Sequence, residues 1–415
     1  MYPRRARSRI ERALRDTPAV FVAGPRQAGK STLVRLIRQD GYVTLDRATV
    51  RAGAEADPDG FVAGLPVPVA LDEVQRVPDL LLAVKAEIDE HRRPGRFLLT
   101  GSANVLMLPK VADALPGRME IVELWPLSQS EIAQGEIAQG EIDNQSEGFV
   151  DAVFETVLPT VVPARVSRGE LFDRVLCGGF PESLQRPADR RSDWFESYLT
   201  AVIEREVRDL SHVGSVAELT AMIRLIGARS GSLFNLADVA RGVQLPHSTA
   251  RNYLGLLRAV FLVVDVPAWT TSLTTRIVRA PKLFLVDSGL TAHLQGMGRE
   301  RLAAEPHFAG GLLEAFVAME LRKQIGWSRV RPGLAHFRTS RDDEVDLVME
   351  ARDGALVGIE VKSSATVRSG DFAGLRVLEE IAGDRFRRGV VLYTGTDVVS
   401  FGPKLVAAPV SMLWS

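Results

Sequence analysis

Residues 19–32 read Ala19-Val-Phe-Val-Ala-Gly24-Pro25-Arg26-Gln27-Ala28-Gly29-Lys30-Ser31-Thr32. An apolar, β-rich run enters a G-x-x-x-x-G-K-[ST] spacing, and Leu33, Leu36 and Ile37 continue with a helical period. The stretch therefore predicts a strand, a glycine-turned loop and a helix. Glycines let the backbone curl until successive N–H groups converge on phosphate oxygens, and the helix N-terminus adds positive potential. Gly24 to Thr32 is the expected ATP cradle, with Lys30 reaching the β- and γ-phosphates and the Ser31 hydroxyl on Mg²⁺.

Outward from this loop, AVFVAG, GYVTLD, VPVALDE, RFLLTGS and MEIVEL alternate with helical patterns between Ala19 and Leu127, which argues for βαβ units and a parallel sheet. VPVALDE ends in Asp72, placed to hold Mg²⁺ directly or through water, and Glu73, the candidate base for the attacking water. Thr100 and Ser102 close the next strand. Either hydroxyl reaches the water or the γ-phosphate, or the pair is simply a polar strand exit. Arg118, in Leu115-Pro-Gly-Arg118, is read both as an arginine finger across a subunit boundary and as a surface ion pair. Arg205 is a second candidate for the finger. Six arginines between Arg4 and Arg15 mark an amphipathic leader helix or a phosphate-contacting arm.

GPRQAGKST, VALDEVQ, LLTGSAN, LPGR and CGGFPE, in this order, resemble the AAA-type ATPases of a bacterial and archaeal family that carries a C-terminal nuclease-like domain. The likeness covers essentially the whole chain. It implies a RecA-like α/β core, a helical lid, and a homo-oligomer with ATP at subunit boundaries.

Asn235 to Val263 reads as helix, turn, helix. Leu236, Val239 and Ala240 face inward, Leu245-Pro246 punctuates the turn, and Ser248 or Thr249 is the expected cap of the second helix. With the β-rich run Phe261–Val266 this is the pattern of a winged helix-turn-helix, whose second helix would turn His247, Ser248, Thr249, Arg251 and Asn252 toward a major groove. A packing or oligomer module is the competing reading.

Farther on, Asp343-Glu-Val-Asp346 and Ile359-Glu360-Val-Lys362 flank Arg352-Asp-Gly354. A three-residue hairpin loop with Gly354 in the left-handed position pairs Ala351 with Ala355, and hence Asp346 with Glu360 on one face beside Lys362. Two carboxylates for Mg²⁺ and a neighbouring ammonium suit phosphodiester hydrolysis. Glu314, on a helix spanning Gly311–Ile325, is placed to complete the metal site. The order E…D…E-x-K resembles the PD-(D/E)xK nuclease core, with the leading Pro-Asp missing. Cutting and binding alone both remain open for such a domain.

The 415 residues carry 51 Lys+Arg against 52 Asp+Glu, 46% hydrophobic residues and one cysteine, which excludes a disulfide framework and disfavours global steering toward nucleic acid. No apolar run spans a membrane and the basic N-terminus lacks a signal-peptide core, so a cytoplasmic protein is expected. The expected units are an ATPase core (1–165), a helical lid (166–213), a winged helix (214–275) and a restriction-endonuclease-like α/β domain (276–415). The six histidines show no ligand spacing. Cys177 and the stripe Trp194, Phe195, Tyr198 read as core. Two functions are compatible with this pattern: an ATP-hydrolysing enzyme acting on DNA, and a slow nucleotide-gated binding or regulatory protein.

Overall fold

A computed structural model describes residues 2–102, 117–137, 148–155, 164–207, 215–272 and 279–415. Residues 138–142 of the 131–142 duplication, Leu115 and Pro116, and the side chain of Arg205 lie outside the described residues. The fold is α/β. Strands β1 (Ala19–Ala23), β2 (Tyr42–Thr44), β3 (Val69–Asp72), β4 (Phe97–Gly101) and β5 (Met119–Glu123) form a parallel sheet in the order β2-β3-β4-β1-β5. Its central strands are buried on both faces, which is why they read as continuous apolar runs. Ala19, Phe21, Leu71 and Leu99 point into the main core. Val20, Val22, Ala70 and Leu98 pack on the other side against Ile10, Leu14, Leu33 and Val34. The leader helix Ala6–Ala13 and the helix Lys30–Ile37 cover that second face.

The middle of the chain is helical: Arg168–Cys177, Ala188–Ala201, Val216–Ala228, Leu236–Gly242 and His247–Ala259. Asn235 caps Leu236–Gly242 by accepting from the Ala237 amide. The expected Ser248 or Thr249 cap of the next helix does not form. The helix begins at His247 after Pro246, so both hydroxyls fall inside its first turn. An antiparallel hairpin follows, β6 (Val263–Val266) with β7 (Lys282–Leu285). The sequence reading gave β7 to the C-terminal unit, yet it pairs back onto the helical one. Cys177, Trp194, Phe195 and Tyr198 are buried, as expected of core residues.

The C-terminal part holds a six-stranded mixed sheet in the order β12-β13-β11-β10-β9-β8: β8 (Gly333–Arg338), β9 (Glu344–Glu350), β10 (Leu356–Lys362), β11 (Phe386–Tyr393), β12 (Val399–Ser400) and β13 (Leu405–Pro409). Helix Ala373–Ala382 packs on one face. The long helix His307–Ile325 starts four residues before the expected Gly311. No helix among the described residues is long and apolar enough to cross a membrane.

The three parts meet at that long helix. Glu320, fully buried, accepts from the Gln129 amide at 2.8 Å and from the Lys323 ammonium at 2.8 Å. Lys323 also donates to the Leu127 carbonyl at 3.0 Å, while Gln324 donates to Leu413 O at 2.7 Å. Asp287 accepts from the Gly179 amide at 2.7 Å, and Leu127 N bonds Gly179 O at 2.7 Å. This explains the Gly178-Gly179 pair: a Cβ on Gly178 would lie 2.0 Å from an Asp287 oxygen, and one on Gly179 would lie 2.2 Å from Leu127 O. Breaking a buried ion pair from one side strands the other charge. Lys323→Met is therefore expected to cost about 3–5 kcal/mol. Chemical denaturation followed by tryptophan fluorescence measures it, and a loss below about 1 kcal/mol would show that the pair is not holding the parts together.

Candidate functional sites: a phosphate loop and a carboxylate cluster

The phosphate loop leaves β1 at its carboxyl end, where parallel α/β sheets bind ligands. Gly29 precedes the helix at φ 94°, a conformation open to glycine, and Lys30 follows it. The Lys30 side chain is buried and its ammonium donates to Gly24 O at 2.9 Å and Pro25 O at 2.8 Å, folded over the loop that a phosphate would fill. Ser31 donates to Asp72 Oδ1 at 3.0 Å, bringing together the two oxygen ligands expected for Mg²⁺. Hard oxygen donors of this kind fit Mg²⁺. Tyr42 donates to Asp72 Oδ2 at 2.5 Å, and Thr100 donates a short bond to Asp72 Oδ1.

Sheet order explains that last contact. Strand β4 lies between β1 and β3, so its last polar residue sits between the loop and Asp72. Thr100 is wholly buried and orients Asp72 and the Glu73 amide, which it accepts at 3.3 Å. Ser102 instead accepts from Gln75 at 2.9 Å, and Gln75 also donates a short bond to the Glu73 carboxylate. Glu73 sits at φ 63°, ψ 42°, a strained conformation for a non-glycine residue of the kind found at working sites.

Other expectations are moved by the geometry. Arg118 precedes β5 at the amino-terminal edge of the sheet, opposite the phosphate loop, and donates to both Asp89 oxygens, at 2.5 and 3.0 Å. It is a surface ion pair, not a group placed to reach ATP within this chain. The leader arginines are largely structural. Arg4 donates to Ala28 O and Trp125 O at 2.6 Å each and pairs with Glu131 at 3.3 Å, so it buttresses the loop from behind. Arg5 stacks on Trp327 at 4.7 Å, and Arg9 donates to Gly326 O at 2.7 Å. His91 lies beside Glu87 and Glu90 at an exposed helix end, although Glu87 is already paired with Arg96.

The second site has the expected register. Ala351 N bonds Ala355 O at 2.9 Å, Gly354 has φ 86°, and Ile359 stands opposite Leu347, which puts Glu360 beside Asp346. Asp346 accepts from the Val361 amide at 2.8 Å, and Lys362 donates to Glu360 at 2.7 Å. Glu314 joins them from the long helix. Two residues escaped the sequence reading: Lys282 of β7 and Glu344 of β9. The Lys282 ammonium lies 2.8 Å from Glu314 Oε1, 2.8 Å from Glu344 Oε1 and 3.6 Å from Asp346 Oδ1. A lone lysine opening the apolar run Lys282-Leu-Phe-Leu was the available signal.

Burial, then the Asp346 charge, pushes Glu314 up to about 8, and burial and Asp346 likewise push Glu360 up to about 7. Burial also raises Asp346. Burial opposes the charge on Lys282, but Glu314 and Asp346 more than offset it and hold the ammonium above the usual lysine range. One ammonium shared by three carboxylates cannot satisfy them all, so the cluster favours added positive charge. In the helical part, His247, Ser248, Arg251 and Asn252 are exposed at the start of their helix and Thr249 is half-buried.

The loop, the sheet and Asp72 define an AAA-type P-loop ATPase, and residues 16–133 match the family model described as "AAA domain". Residues 168–301 and 309–413 match two models, each described as a domain of unknown function (DUF8612 and DUF4143). The chain is 30% identical over 368 residues to uncharacterized protein Rv2008c of Mycobacterium tuberculosis and to uncharacterized protein Mb2031c of Mycobacterium bovis, covering 88% of this chain and 74% of each of them. It belongs to the family of these mycobacterial proteins. The Walker-type ATPase PABY2304 of Pyrococcus abyssi superposes with TM-score 0.43 at 14% identity, covering 71% of this chain and 96% of that one.

His336 on β8 supplies a pH test. Its ring Nε2 lies 3.1 Å from Ala280 O, and burial lowers it to about 4. The ring is then neutral in the fold but protonated in the unfolded chain between about 6.5 and 4, so its contribution is complete above pH 6.5 and is lost as pH falls through 4. His336→Gln, which keeps a donor for Ala280, is expected to flatten the fall in melting temperature between pH 6.5 and 4. An unchanged slope would remove His336 from the acid response.

Proposed function

We propose that this ATPase hydrolyses ATP with Mg²⁺ held by Ser31 and Asp72, and couples turnover to DNA through its helix–turn–helix and its PD-(D/E)xK-like C-terminal domain. The observation that carries the reading is the convergence of Lys30, Ser31, Asp72, Thr100 and Glu73 at the carboxyl ends of β1, β3 and β4. The loop amides and Lys30 bind the phosphates, with Arg26 and Gln27 at the rim. Thr100 and Tyr42 hold Asp72 in place. Glu73, positioned by Gln75, accepts the proton of the attacking water. The bound Mg²⁺ supplies charge neutralisation of the phosphate oxygens. The three helices Val216–Ala228, Leu236–Gly242 and His247–Ala259 with the β6–β7 hairpin have the order of a winged helix, and the exposed His247, Ser248, Arg251 and Asn252 suit a DNA groove.

The second reading is a slow nucleotide-gated protein that holds nucleic acid or protein without cutting. A specific observation favours keeping it: the Lys282 ammonium sits among the carboxylates that would hold the nuclease metal.

ATP turnover is expected to fall about 100-fold or more in Lys30→Ala and in Glu73→Gln, with Glu73→Gln retaining ATP binding. Phosphate release and a fluorescent-nucleotide titration measure the two. Retained turnover in Glu73→Gln would remove that residue as the base. Arg251→Ala is expected to weaken duplex DNA binding and lower the salt slope by about 1. Unchanged anisotropy titrations across salt would turn the helix back into a packing element. Mg²⁺-dependent cleavage lost in Asp346→Ala with ATPase retained supports the first reading, and no cleavage by the parent protein supports the second.

A further inference from the structure

We propose that Lys282 is the resident cation of the C-terminal carboxylate cluster, and that a divalent cation enters the cluster only in exchange for it. This rests on the reading that Glu314, Asp346 and Glu360 form a cation site.

Two elements bring three carboxylates to one point: Glu314 from the long helix, and Glu344 and Asp346 from β9. The point is filled by an ammonium that comes from neither element. Lys282 belongs to the hairpin of the helical part and its side chain is only 3% exposed. Its nitrogen lies 2.8 Å from two of the carboxylates and 3.6 Å from the third. Divalent cations bind oxygen at about 2.0–2.6 Å, so a metal drawing the same oxygens together would occupy the volume of that nitrogen. Both cannot be present.

Charge points the same way. When ionised, four carboxylates (Glu314, Glu344, Asp346 and Glu360) face three cations: Lys282, Lys362, which is committed to Glu360 at 2.7 Å, and Arg338, which lies 3.6 Å from Glu344. Replacing one positive charge by two moves the cluster toward neutrality. Removing the lysine with no replacement strands charge in a largely buried place.

The lysine also reaches the cluster from a different part of the chain than the carboxylates do. Residues 267–269, just after β6, run along the edge of the C-terminal sheet, where Trp269 N bonds His336 O at 2.6 Å and His336 N bonds Pro267 O at 2.9 Å. Arg279 donates to Arg338 O at 2.7 Å in the same seam. These bonds seat the hairpin against β8, and with it Lys282 against the carboxylates. Opening the site requires only that the Lys282 side chain swing out of the cluster, with the β6–β7 and β9–β10 pairings kept.

Mn²⁺ titration calorimetry of the full chain without nucleotide tests this, using the parent, Lys282→Met and Lys282→Met/Asp346→Asn. Lys282→Met is expected to bind Mn²⁺ at least tenfold more tightly than the parent, and the double variant to lose that binding. Equal affinity of parent and Lys282→Met, still lost with Asp346→Asn, would overturn the exchange while leaving the cation site standing. No Asp346-dependent binding in either would overturn the cation site itself. If Lys282→Met does not fold, amine acylation of the parent read by mass spectrometry decides. Labelling of Lys282 is expected to rise at least tenfold in millimolar Mn²⁺, and Mn²⁺ binding with Lys282 still protected would overturn the exchange.

Discussion

The ion pair of Glu320 with Lys323 is the constraint on which the arrangement of the molecule depends. Two charges withdrawn from water are tolerated because each also bonds backbone of another part of the chain, Glu320 the Gln129 amide and Lys323 the Leu127 carbonyl. Geometry that satisfies one satisfies all, so the ATPase sheet, the helical middle and the C-terminal sheet are placed together. Both candidate sites are built from this point. Glu131, two residues past Gln129, pairs with the Arg4 that braces the phosphate loop. Glu314 lies on the same helix as Glu320, about 9 Å away along its axis at 1.5 Å per residue.

The two sites use carboxylates in opposite ways. Asp72 is balanced by neutral hydroxyls from Ser31, Tyr42 and Thr100. A hydroxyl can turn from a carboxylate to a metal as a ligand arrives without leaving a buried charge exposed. The C-terminal carboxylates are balanced by lysines, so every change of occupant there is a change of net charge. The first site is built for repeated loading, and the second holds a fixed electrostatic state until something moves.

What could be read from the sequence was local. The strand–loop–helix around Lys30 and the Asp346–Glu360 register both follow from spacing within one or two neighbouring elements, where turn length and side-chain parity leave little freedom. Tyr42 and Lys282 were illegible as site residues because each arrives from a distant part of the chain: Tyr42 from the edge strand, Lys282 from the hairpin. Of the two readings of Arg118, the surface ion pair is the one visible within this chain: in a parallel sheet the residue entering the next strand lies at the edge away from the phosphate loop, where Asp89 takes it. The missing Ser248 or Thr249 cap has a simple cause, since Pro246 already sets the backbone for entry and the helix starts two or three residues sooner than either cap would place it.

The docking of the leader helix bears on how the chain matures as it is made. Arg4 needs Glu131, while Arg5 and Arg9 find Trp327 and Gly326 near the end of the long helix. At ribosomal speeds the stretch that braces the phosphate loop emerges tens of seconds before residue 327 does. The nucleotide loop is therefore translated well before the residues that support it, so a nascent chain carries its nucleotide-binding sequence before it carries the finished site.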